Sequence, residues 1–262
     1  MANDMKKNIF IVGLGVFLIV ALAGTTAADE PMPAFHIMTE HWIPYQFMKN
    51  GTLQGLSVDL LVDLLKRVGS NQGRSDIEIV PWARGYRFAQ KEENAILFLT
   101  SRTPQREKLF KWVGPVIQNR WELIAKKNRK FKFNAQDELL AYTFGTVIDD
   151  VGEQFLLNLG IRRGRLERTS AYANCIKMLR ADRVDMVVMS WETFSLFASR
   201  EEIDTSDYES VFTLASSDLY YAFHKNTPQW IVAKFQDALD ALKTEGTLDA
   251  LKKKYAHLKN GY

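Results

Sequence analysis

The sequence predicts an α/β fold built on an open, mostly parallel sheet, and three observations predict it. Short apolar runs of strand length, such as Ala95-Ile96-Leu97-Phe98-Leu99, alternate with longer segments of helical periodicity, such as Ser57 to Arg67. The spacing between successive runs suits right-handed strand-helix-strand crossovers. The composition, 47% hydrophobic and 25% charged over 262 residues, is that of a globular chain long enough for one large or two modest cores.

At the N-terminus, Lys6-Lys7 precede an apolar run from Ile9 to Ala23, and the small residues Gly24 to Ala28 precede Asp29-Glu30. Positive charge, apolar core and small residues in that order make a secretory signal. The run is shorter than the ~20 residues of a spanning helix. Residues 1–28 are therefore expected to be a signal peptide cleaved after Ala27 or Ala28, with the mature chain in the periplasm. No cysteine stands at that point to carry a lipid. Cys175 is the single cysteine, so no intramolecular disulfide forms, and its helical setting suits a buried thiol.

Beyond the signal, Phe35 to Glu40 alternates like a short strand, and Pro44 breaks regular structure in the aromatic loop His41 to Phe47. Gly51 and Gly55 punctuate a turn into the amphipathic helix Ser57 to Arg67. Ile77 to Val80 reads as a strand that Pro81 turns into a helix carrying Trp82. The strand of residues 95–99 empties into a polar loop, the position at which open α/β sheets hold ligands. There Ser101 and Thr103 offer hydroxyls, while Arg102 and Arg106 offer planar forks that suit a carboxylate. Together these describe an anion seat, although spacing alone fits solvated arginines at a Thr-Pro helix start equally well.

Tyr142 to Val147 reads as a strand, followed by a loop into a helix at which Asp149 and Asp150 suit N-caps. Strand, helix and strand then recur at Leu166 to Thr169, Tyr172 to Leu179 and Arg183 to Glu192. Val211 to Leu214 and Leu219 to Lys225 read as two further strands. Pro228 opens the helix Gln229 to Lys243, and Gly246 separates it from the last helical run, Leu248 to Tyr255.

Several function classes are excluded. A net charge of +3 with no dense basic block does not advertise nucleic acid, and the run Lys126 to Lys132 reads as a solvated face. The four histidines lack metal-ligand spacing, and neither a phosphate loop nor a Gly-x-Ser-x-Gly elbow is present. No metal, cofactor or catalytic residue is assigned.

Residues 103–115 resemble the segment Thr-x-x-Arg-x-x-x-Phe-x-Phe/Trp-Ser-x-Pro of the family 3 extracellular solute-binding proteins of bacteria. Thr103, Arg106, Phe110, Trp112 and Pro115 match, with Val113 where serine is usual. Pro44, Tyr45, Gly55, Val58 and Asp59 match a second pattern, and Pro81-Trp82-x-Arg84 resembles a motif of one branch. Asp185 matches the first aspartate of Gly-x-x-Asp-Ala-x-x-x-Asp, while Ser190 falls where the second stands. The ending Ala238-Leu239 to Lys254-Tyr255 is close to the family's terminal signature.

The resemblance implies a two-lobed periplasmic-binding-protein fold of type II, the Venus flytrap, with two hinge strands. The first lobe would comprise residues 29–118 and 217–262, and the second residues 119–216. It further implies that Arg106 clamps a ligand carboxylate, that Trp42, Tyr45 and Trp82 wall the cleft, and that Ser101, Arg102, Thr146, Asp150, Ser190 and Glu192 complete the site. Ser190 cannot supply the charge-assisted bond an ammonium needs, so Asp150 or Glu192 would replace it. The implied function is capture of a small polar ligand, an amino acid or related carboxylate, by a monomer that delivers it to an ABC permease in the inner membrane. Two alternatives are a cyclohexadienyl or arogenate dehydratase-like enzyme and a binding protein that feeds a receptor.

Overall fold

Alternating apolar runs and amphipathic segments build ten strands and seven α-helices among the described residues, 31–256 and 258, of the computed structural model. The expected signal peptide lies outside the described residues. In chain order the first elements are β1 (His36–Thr39), the hairpin β2 (Phe47–Lys49) and β3 (Thr52–Gln54), and α1 (Leu56–Arg67). Then come β4 (Ile77–Ile79), α2 (Trp82–Ala89) and β5 (Ala95–Ser101). The long strand β6 (Phe110–Lys126) leads to β7 (Phe144–Val147), α3 (Val151–Asn158), β8 (Leu166–Thr169), α4 (Tyr172–Arg180), β9 (Met186–Met189) and α5 (Trp191–Arg200). A second long strand, β10 (Tyr208–His224), precedes α6 (Gln229–Thr244) and α7 (Thr247–Ala256).

Eight of the strands form one sheet in the order β4-β1-β5-β10-β6-β9-β7-β8. β1 pairs parallel with β4 and β5, and β7 pairs parallel with β8 and β9, so each end of the sheet is a parallel α/β unit. Between the two units lie β6 and β10, antiparallel to each other. The first lobe gathers around β5 and the second around β7, with β6 and β10 running through both.

The local chemistry explains the elements. β5 is buried along its whole length, as a strand covered on both faces requires. α1 buries Leu56, Leu60, Leu61, Leu64 and Leu65, the stripe its periodicity predicts. The sequence splits β10 into two strands, whereas the structure shows one of 17 residues. Its pairing with β6 shifts register between Ser210 and Phe212, Thr213 and Ala215, and Leu219 and Tyr221. Each shift breaks the period-2 alternation that marks a continuous strand. Pro228 stands at the N-cap of α6, one position before the predicted first helical residue.

Candidate functional site

The loop that leaves β5 turns back through an Arg106 N–H bond to the Thr103 carbonyl and carries the Arg106 side chain into the interior. Its guanidinium is wholly buried, with its carbon 4.8 Å from the Tyr86 ring centre and 5.5 Å from that of Trp82. Both rings come from α2, so one helix supplies the aromatic bed. Nη2 donates to the Asp149 carbonyl at 3.1 Å, while Nε and Nη1 have no hydrogen-bond partner. Burial pulls the Arg106 pKa below its usual value, opposed by Tyr86 and Asp150. A buried guanidinium with two open donor nitrogens is built to receive an anion.

Opposite stands Asp150, the N-cap of α3. Its Oδ1 accepts the Val151 N–H at 2.6 Å, and its Oδ2 accepts the Tyr172 hydroxyl at 2.8 Å. Gly152 lets α3 sit this low on β9, because a Cβ there would lie 2.7 Å from Val188 Cγ1. Burial raises the Asp150 pKa, and Arg106 works against that rise. Glu40, at the carboxyl end of β1, is also buried, and burial followed by the neighbouring Asp150 raises its pKa well above the carboxylate range. One buried cation therefore faces two buried carboxyl groups.

Trp42 completes the enclosure. Its ring centre lies 5.9 Å from that of Trp121 and 6.0 Å from that of Tyr172, and its Nε1 donates to Thr193 Oγ1 at 2.8 Å. Thr193 also receives the Ser190 hydroxyl, and Ser190 N-caps α5 by accepting the Thr193 N–H. The serine that stands in place of an aspartate is thus a helix cap tied to the cleft wall. Trp82 Nε1 donates to the Asp149 carbonyl at 3.0 Å, another bond between the lobes.

Arg106, Trp42, Trp82 and Asp150 thus converge. Thr146 is buried on β7, and its hydroxyl lacks a partner, as does that of Thr103. Ser101 accepts the Ser217 hydroxyl, which in turn accepts Trp121 Nε1, so it is tied to the crossing strand. Three expected residues stand elsewhere. Arg102 pairs with Glu107 at 2.6 Å, lies 5.3 Å from the Tyr220 ring centre, and lines an open cavity of about 750 Å³. Tyr45, whose ring packs edge-on against that of Trp42 at 5.1 Å, and Glu192 line a different cavity of about 550 Å³ beside Ile117 and Gln118 of β6. Burial, then Glu192, pushes the Tyr45 hydroxyl above its usual range. Asp185 accepts the Thr143 N–H and hydroxyl and pairs with Arg129, a structural task on the second lobe.

Glu40, Tyr86 and Tyr172 escaped the sequence reading. Glu40 was open to the rule that ligands sit at the carboxyl ends of parallel strands, since it directly follows β1. The two tyrosines carry no such signal. Among the described residues, no group of three or more His, Cys, Asp or Glu side chains is placed to hold a metal ion, and no helix is long and apolar enough to cross a membrane.

The model of the bacterial extracellular solute-binding proteins, family 3, matches residues 36–258. The chain belongs to that family. A curated relative, described as a probable histidine-binding protein of Campylobacter jejuni, is 23% identical and aligns over 96% of this chain and 99% of its own length. Among solved structures, the arginine-, lysine-, histidine-binding protein ArtJ of Geobacillus stearothermophilus superposes with a TM-score of 0.71 at 18% identity, covering 85% of this chain and 95% of that one. A histidine kinase sensor domain with similarity to periplasmic binding proteins gives 0.74 at 17% identity over 85% and 95%. These structures share the two-lobed fold with this family 3 solute-binding protein.

Proposed function

We propose that this solute-binding protein captures an amino acid with a cationic side chain between its lobes and presents it to an ABC permease. The observation that carries this reading is Arg106: buried, bedded on two rings, with Nε and Nη1 open. The ligand carboxylate takes one of these donors together with the second hydrogen of Nη2 on the same edge. Its α-ammonium and side-chain cation answer Asp150 and Glu40, so a ligand with two positive groups balances both carboxylates while a neutral amino acid leaves one uncompensated. Trp42, Trp82, Tyr86 and Tyr172 supply rings on which a cation stacks. The histidine and arginine specificities named for the relatives agree with that charge count.

The lobe boundaries at 118/119 and 216/217 belong to the same reading. They fall one residue apart across the sheet, where Gln118 pairs with Asp218, Asn119 with Ser217 and Arg120 with Ser216. Ligand shifts the open-to-closed equilibrium by touching groups on both lobes. We place the mature protein in the periplasm as a monomer without catalytic activity.

Calorimetric titration of residues 29–262 with L-arginine, L-lysine, L-histidine, L-glutamine and L-glutamate tests the proposal. The cationic members should bind at least tenfold more tightly than glutamine, and glutamate should not bind. Equal affinity for glutamine and arginine would overturn it. The sensor-domain likeness favours a second reading, in which the closed form docks on a receptor. Ligand-dependent binding of the protein to a membrane receptor, with no ligand uptake, would support it.

A further inference from the structure

We infer that Asp149 is a positioning residue that couples lobe closure to the aim of Arg106. This rests on two-lobed capture but not on the identity of the ligand. Asp149 belongs to the second lobe, between β7 and α3, and reaches the first lobe by both its backbone and its side chain. Its carbonyl accepts Arg106 Nη2 at 3.1 Å and Trp82 Nε1 at 3.0 Å. Its Oδ2 takes Arg87 of α2 at 2.9 Å. Its Oδ1 takes Arg168 of β8 at 3.2 Å, within its own lobe.

The backbone explains how one residue does both. Asp149 lies at φ +60°, the left-handed region that aspartate and asparagine tolerate best after glycine. Its N–H donates to Glu153 Oε2 at 2.7 Å, and buried Glu153 is held by Arg168 Nε at 2.7 Å. The turn is therefore braced from within the second lobe before it meets the first. When the lobes meet, the Asp149 carbonyl takes one of the two Nη2 hydrogens, and with it one of the two bidentate edges of Arg106, Nε with Nη2 or Nη1 with Nη2. The other edge keeps the parallel pair of N–H donors that a carboxylate needs. The Arg87 bridge draws the lobes together as the carbonyl sets the clamp, so closure and clamp form in one step.

The ionic arm is separable from the carbonyl arm. Arg87→Gln removes only the bridge between lobes, on a largely exposed side chain. Asp149→Asn also removes the charge and keeps the left-handed turn. Asp149→Ala strains that turn and turns the carbonyl away.

Small-angle scattering of the ligand-free protein at about 20 mM and about 500 mM NaCl reads the first arm, because salt screens exposed pairs. The wild type should expand as salt rises. Arg87→Gln and Asp149→Asn should already be expanded at low salt and should not respond further. The double variant should match either single one, since both cut the same bridge.

Titration with L-arginine as probe reads the second arm. Arg87→Gln and Asp149→Asn should each weaken it about two- to fivefold, chiefly through faster release. Asp149→Ala should weaken it about tenfold or more, because a bond to a charged group is lost as well. An unchanged radius of gyration and salt response in Arg87→Gln would overturn the latch. Equal affinity of Asp149→Ala and Asp149→Asn would overturn the positioning role. If L-arginine does not bind wild type, the scattering still decides the latch, and only the ligand assignment falls.

Discussion

The two principal charges of the cleft are held in opposite ways. Arg106, on the first lobe, rests on the faces of Trp82 and Tyr86 and makes a single hydrogen bond through Nη2, to the Asp149 carbonyl. Asp150, on the second lobe, has both carboxylate oxygens engaged, by a helix N-terminus and by a tyrosine hydroxyl. One is a buried charge short of bonds, the other a buried charge already satisfied. A ligand therefore gains most where the protein itself supplies least. Free energy of binding should concentrate on Arg106, while Asp150 acts by balancing charge.

The largest effect that would break this contrast is at Arg106 itself. Arg106→Ala should weaken L-arginine binding on the order of a hundredfold or more, from two charge-assisted bonds worth about 1.5–3 kcal/mol each. Calorimetry would show it, with circular dichroism confirming the fold. Retained affinity in a folded variant would place the carboxylate elsewhere.

Asp150→Asn keeps the cap, because asparagine caps helices as well as aspartate, but removes the counter-charge of Arg106. Affinity for L-arginine should fall about tenfold, a buried uncompensated charge being costly. A loss as large as that of Arg106→Ala would mean that Asp150 bonds the ligand as directly as Arg106 does.

Trp42→Phe keeps a ring and deletes the bond to Thr193. It should cost about 0.5–1.5 kcal/mol of closed-state stability, seen as a smaller thermal shift on adding ligand. An unchanged shift would show that this bond does not distinguish closed from open.

The smallest effect at neutral pH sharpens the comparison through Glu40. Glu40 and Asp150 titrate above their usual range in the closed protein. Their protonated forms are favoured on folding, so this stabilisation is present below the unfolded pKa and is lost as pH rises through the raised values. A bound cation prefers the ionised forms and reverses the trend. The ligand-free melting midpoint should fall with rising pH through the acid range while the shift produced by L-arginine grows. Glu40→Gln should flatten much of both slopes; unaltered slopes would assign the titration to Asp150 alone.

Much of this was legible in the chain because it is local. The apolar run of β5, the stripe of α1 and the turn residues around Gly55 are period and turn signals that tertiary contacts only reinforce. Arg106 and Asp150 were legible as strand-end and cap residues. Glu40 carried only the strand-end signal and Tyr172 none, because their importance comes from elements far apart in sequence meeting across the cleft. Arg102 shows the converse. Its residue type and spacing fit the anion seat as well as those of Arg106, but the turn after Thr103 sends one guanidinium inward and leaves the other to Glu107. Tyr45, in the turn before β2, and Glu192, in the first turn of α5, line the cavity beside Ile117 and Gln118.

The position of β10, between β5 and β6, orders the birth of the molecule. The first lobe lacks an inner neighbour for β5, and β6 has only the short β9 beside it, until residues 208–224 are in place. A chain stopped before Tyr208 exposes both edges at once, each a template for pairing with another chain. Long-range pairings of this kind also fold slowly. Stability and solubility thus depend on the same late strand.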